Sequence, residues 1–188
     1  MDAHFFWSTL REPGMEHLHL TGSASEVFAT GVVLGVGSGG EAFHLTYELH
    51  TDGDWRVRTC AFALAGAAGR GLRLTSDAAG HWSDGAGAHL PALDGCEDID
   101  ITVTPFTNTL PIRRLALAPG ESREILVAYV SVPELTVRPV RQRYTHLAQT
   151  DSGGTWRYEG LESGFRADLT VDADGVVLDY PGIWRRIG

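Results

Sequence analysis

Residues 93–115, LDGCEDIDITVTPFTNTLPIRRL, carry the densest set of chemically useful side chains in the chain. In DIDITVT, Asp98, Asp100, Thr102 and Thr104 alternate with Ile99, Ile101 and Val103, so on a strand the four polar groups share one face. Positions i and i+2 of a strand lie about 7 Å apart, near the carboxylate spacing of glycosidases that invert configuration. Those enzymes set their acids on opposite sides of a bond, which two neighbours on one strand do poorly. The remaining readings are the polar wall of a ligand cavity or a solvated strand face. Asn108 follows between two threonines, where its amide can satisfy loop backbone. PIRRLAL then resumes an alternation that sends Arg113 and Arg114 to opposite sides. If the two segments form a hairpin, one arginine comes within cross-strand reach of Asp98 or Asp100.

Other motifs carry less. Gly35-Val36-Gly37-Ser38-Gly39-Gly40 matches G-x-G-x-x-G, but a dinucleotide site needs a helix directly after the glycines, and an alternating strand follows instead. A hairpin loop is the better reading. His17 and His19 share a strand face as a metal pair would, yet Glu26 is too far on for the cupin spacing and no later histidine has a matching context. No metal is expected. No serine has glycines at both minus two and plus two, so the hydrolase nucleophile elbow is missing. Asp172-Ala173-Asp174-Gly175 begins like a calcium loop but lacks the closing glutamate, and reads as a turn. All 15 basic residues are arginine, which removes lysine general bases, Schiff-base lysines and the phosphate-loop lysine.

The elements that must position these residues are strands. In EAFHLTYELH, Phe43, Leu45, Tyr47 and Leu49 alternate with polar residues, and DWRVRT, FRADLTVD and GVVLDYP follow the same period. Asp-Gly dipeptides at 52–53, 84–85, 94–95 and 174–175 supply turn residues between such runs. The spacing predicts roughly 12 to 15 antiparallel strands in a single domain, 1–188, with little or no helix. So many strands must curl closed or pack as two sheets to manage their edges.

A net charge of -9 argues against nucleic acid or an anionic membrane as the main partner. Two distant cysteines, Cys60 and Cys96, make no disulfide framework. The opening residues MDAHFFWSTLREPG do not read as a secretory signal, and the longest small-and-apolar run, CAFALAGAAG, is too short to span a bilayer. A cytoplasmic protein is the expectation.

The 93–115 stretch, together with VDADGVVLDYPGIWRR near the C-terminus, resembles the bacterial "Putative glycolipid-binding" family. GMEHLHL, YELHTDGDWRVR and GHWSDG extend the likeness over most of the chain. The resemblance implies a long, spindle-shaped antiparallel β-barrel, closed or nearly so, around an elongated interior. It implies a non-enzymatic carrier of a glycolipid or other amphiphilic lipid, with no cofactor and no catalytic residue. In that reading Asp98, Asp100, Thr104 and Asn108 hydrogen-bond sugar hydroxyls, Arg113 or Arg114 holds an anionic group, and Trp82, Tyr180 and Trp184 wall the interior. The alternative is a carboxylate-dependent enzyme on a small glycoside or lipid, with Asp98 or Asp100 as acid or base.

Overall fold

Period-two alternation becomes strand nearly everywhere it occurs. The computed structural model describes residues 1–37, 39–66 and 70–188. The expectations for Ser38 in the glycine-rich loop and for 67–69 in the small-residue run lie outside the described residues. The strands are β1 (Asp2–Thr9), β2 (Met15–Gly22), β3 (Glu26–Val36), β4 (Ala42–Asp52), β5 (Val57–Leu64), β6 (Gly71–Ser76) and β7 (Trp82–Asp84). They continue as β8 (Asp98–Ile101), β9 (Ser122–Ser131), β10 (Thr136–Thr150), β11 (Gly153–Gly160), β12 (Arg166–Asp172), β13 (Val177–Tyr180) and β14 (Trp184–Arg186). A helix, α1 (Thr109–Leu115), and the 3-10 turns Pro91–Leu93 and Phe106–Asn108 complete the described elements.

All 14 strands belong to one sheet, ordered β7-β6-β5-β4-β3-β2-β1-β14-β13-β12-β11-β10-β9-β8. Two meanders meet where the chain's ends pair, with Trp7 opposite Arg186 and Thr9 opposite Trp184. Asp-Gly turns join β4 to β5 and β12 to β13. Gly175 takes φ 78°, a left-handed value that costs glycine little. The glycine-rich stretch joins β3 to β4, and no helix follows it.

The structure bears out one large, mostly antiparallel sheet; its ends are β7 and β8, and no ladder joins them among the described residues. The loop between these edges ties them instead: Gly95 N donates to Gly80 O at 2.8 Å and Glu97 N to Leu126 O at 2.8 Å. One pair is also parallel, β8 with β9. Parallel neighbours need a crossover of a dozen or more residues, and 102–121 provides it.

That crossover corrects one expectation. PIRRLAL is not a strand; most of it forms α1. Residues 104–112 are buried throughout, and a helix satisfies its own backbone groups there. Pro111 sits in the first turn, where its missing N–H breaks no helical bond.

The expected choice between an inward and an outward face for Asp98 and Asp100 also dissolves, because β8 is covered on both sides. Ile99 and Ile101 join a large apolar cluster with Trp7, Leu18, Leu45, Phe106 and Val130. Val127, the register partner of Asp98, joins a second cluster with Ile112, Tyr144, Trp156 and Leu169. The β8–β9 end of the sheet thus stands between two cores. Cys60 and Cys96 are both free and buried.

Candidate functional site

Asp100 and the turn after β8 build the wall of a hollow. Register sets Asp100 beside Tyr129 of β9. The strand ends at Ile101, so Thr104 does not continue its phase. It belongs to the turn into Phe106–Asn108, where its Oγ1 accepts from Phe106 N at 3.0 Å. The same hydroxyl donates to Glu16 Oε1 of β2 at 2.7 Å. Asn108 is held by both ends: Nδ2 donates to Pro105 O at 3.2 Å, and Tyr144 Oη donates to Oδ1 at 2.9 Å.

The hollow encloses about 310 Å³, at the small end for a ligand site. Asp100, Thr102, Thr104, Asn108 and Ser163 are its polar lining; Tyr129, Tyr158, Phe165, Tyr180 and Trp184 are its aromatic lining. Tyr158, Phe165 and Tyr180 pack on one another, with ring centroids 6.0 to 6.4 Å apart. Each oxygen of Asp100 accepts one hydrogen bond, Oδ1 from Thr107 Oγ1 at 3.2 Å and Oδ2 from Gln142 Nε2 at 2.6 Å. Burial raises the Asp100 carboxyl above its ordinary value, and those two bonds oppose the rise.

A second hollow of about 260 Å³ adjoins the first and is mostly apolar, with Thr9, Arg11 and Glu12 as its polar lining beside Thr102. Val33, Leu34, Val36, Phe43 and Val103 line it. Thr102, Ile183 and Trp184 line both, forming a common wall.

Five residues singled out from the sequence therefore surround one hollow: Asp100, Thr104, Asn108, Tyr180 and Trp184. Four lie elsewhere. Asp98 is fully buried, and Arg114 grips it through Nε at 3.1 and 3.2 Å and Nη2 at 2.6 Å. Arg114 Nη1 also donates to Glu97 at 2.9 Å. The arginine anticipated beside Asp98 or Asp100 is present at Asp98, but it reaches that residue from a helix, not from a hairpin. Burial raises the Asp98 carboxyl and Arg114 opposes it. Arg113 stacks over the Trp55 ring at 5.2 Å. Trp82 is fully buried, with Nε1 donating to Cys96 O at 2.9 Å.

Sequence reasoning missed Glu16, Tyr129, Tyr158 and Phe165. Glu16 carried a readable signal, since in MEHLHL it shares a phase with Leu18 and Leu20 and so stands as a carboxyl on an apolar face. Tyr129, Tyr158 and Phe165 carried none, because their convergence depends on how β9, β11 and the loop after β11 meet.

The model of the family described as "Putative glycolipid-binding" matches residues 4–186. A crystal structure of a DUF1089 family protein from Pseudomonas aeruginosa is similar at 42% identity, covering 92% of each chain with a TM-score of 0.82. No curated protein matches the chain. With a match of this extent and a relative of this identity, the chain belongs to the family described as "Putative glycolipid-binding".

Proposed function

We propose that the protein binds an amphiphile, with a glycosyl-type head in the hollow around Asp100 and an apolar tail portion in the adjoining cleft. The observation that carries this reading is the common wall of Thr102, Ile183 and Trp184 between a polar-aromatic hollow and a mostly apolar one. Aromatic rings offer flat apolar faces to a sugar ring, while Asp100, Asn108 and Ser163 offer acceptors and donors to its hydroxyls. Val33, Phe43 and Val103 suit an alkyl chain, whose burial stabilises by about 0.8 kcal/mol per methylene. The family description supports the glycolipid class, and the protein is read as a binder that does no chemistry on it.

An acid–base enzyme is less well supported. Both Asp98 oxygens are held by Arg114, which leaves Asp100 without its sequence neighbour as a partner carboxylate in the hollow.

Thermal unfolding across a panel of glycosylated lipids, free monosaccharides and unglycosylated fatty acids tests the proposal. A ligand at a hundred times its Kd stabilises by about 2.7 kcal/mol. The glycosylated lipids should raise Tm most; no rise across the panel, together with bare protein in native mass spectrometry, overturns the reading.

A further inference from the structure

Away from both hollows, the outward face of β1 and β2 gathers four side chains with metal-ligating atoms. Asp2 and His4 are two apart on β1, and His17 and His19 are two apart on β2. Register places His4 directly opposite His19 and Phe6 opposite His17. Ligand atoms of Asp2, His4 and His19 all lie within 4.8 Å of one another. His19 Nε2 sits 2.8 Å from Asp2 Oδ1, and His4 Nδ1 sits 2.9 Å from His17 Nε2.

The rings are held in a row. His4 and His19 stack at 4.2 Å between centroids, and Phe6 stacks on His17 at 4.6 Å. An exposed Asp–His ion pair accounts for Asp2 and His19 alone. It gives no reason for a second and third imidazole to converge there. Binding a cation gives one.

We propose that Asp2, His4 and His19 form a binding site for a divalent transition cation of the zinc class. Two imidazoles and a carboxylate match zinc's preferred nitrogen and oxygen donors, whereas calcium and magnesium favour all-oxygen sets. Bonds near 2.0–2.1 Å in a tetrahedral arrangement put ligand atoms about 3.4 Å apart. The stacked His4 and His19 rings must therefore tilt out of parallel for their in-plane lone pairs to meet at one ion, a rotation their exposure on the outward face allows. Strand pairing fixes the backbone of all three, and His17 is placed to orient His4 through its ring nitrogen. Three protein donors leave a fourth position for water or another ligand. His4, His17 and His19 also line an open hollow of about 690 Å³, so that position has room beside it. Spacing along β2 alone offered no further ligand beside His19; pairing with β1 brings Asp2 and His4 to it.

The test uses the full chain without a polyhistidine tag, titrated with zinc chloride against a chromophoric chelator, and with cobalt(II) as a spectroscopic stand-in. One equivalent of zinc should bind, and cobalt(II) should show the visible absorption of a low-coordinate site. His4→Ala and His19→Ala should each weaken binding at least about tenfold and abolish the cobalt bands. His44→Ala, on the outward side of β4 beyond this group, should change neither. Thermal melting checks that each variant folds; if either alanine variant does not, Asp2→Asn takes its place with the same expected weakening. Absence of stoichiometric zinc binding, or binding unchanged in the His4→Ala/His19→Ala double variant, overturns the proposal.

Discussion

Thr104 Oγ1 donates to Glu16 Oε1 at 2.7 Å, joining the crossover segment to a strand 88 residues away. Tyr47 Oη donates to the same oxygen at 2.6 Å. The other carboxylate oxygen, Oε2, is buried without a partner among the described residues. One carboxyl therefore ties β2, β4 and the turn that lines the polar hollow.

Burial pushes the Glu16 carboxyl up to about 8, against the pull of the Tyr47 and Thr104 bonds. The folded state holds a proton that the unfolded chain releases near its ordinary value of 4.5. This contribution is fully present below that value and is lost as pH rises towards about 8. Stability should fall by a few kcal/mol across that window. Glu16→Gln keeps an acceptor for Thr104 and Tyr47 and cannot ionise. Urea unfolding at pH 5 and pH 8 should show the variant near wild type at the lower pH and more stable at the higher. Parallel profiles would reject the assignment.

Gly31 faces Tyr47 across β3 and β4. A Cβ at Gly31 would stand 2.0 Å from Tyr47 Cε1 and 2.6 Å from its hydroxyl. Space, rather than a special backbone angle, requires glycine here. Gly31→Ala should displace the ring, break its bond to Glu16 and cost about 1–3 kcal/mol. The penalty should shrink in a Tyr47→Leu background, and a double-mutant cycle in urea reads the coupling.

Asp98 and Arg114 form an ion pair in which the two side chains are 0% and 5% exposed. Arg114→Ala leaves a buried carboxylate unpaired and should cost about 3–5 kcal/mol. Replacing both with leucine removes the stranded charge, so the double variant should be the more stable of the two. A double variant as unstable as Arg114→Ala would show that the pair contributes beyond mutual neutralisation.

The two hollows should be separable by substitution. Asp100→Asn can keep both neighbours, since Gln142 Oε1 has no partner among the described residues and its amide can turn to accept. It removes the charge alone, and should weaken a glycosylated ligand about tenfold or more while leaving a plain fatty acid unchanged. Val103→Asp should do the reverse, reducing the gain from each added methylene. Isothermal titration with a chain-length series distinguishes them, and equal effects of both variants on both ligands would contradict a divided site.

Much of this protein is legible along the chain. Alternation in 41–50 and 165–172 marked β4 and β12, and Asp-Gly at 52–53 and 174–175 marked turns, because both signals are local consequences of backbone geometry. The likeness of 93–115 to its family was legible too, and five residues chosen from the sequence border one hollow. Other features were not. PIRRLAL alternates well enough for a strand; only its burial in the folded chain makes a helix, which satisfies its own backbone, the better conformer. The polar face of β8 could not be divided in advance, since the grip of Arg114 on Asp98 and of Gln142 on Asp100 comes from elements 16 and 42 residues on. Local periodicity determined which residues form strands. Tertiary structure decided which polar groups are consumed by one another and which border a hollow, because that depends on contacts between segments distant in sequence.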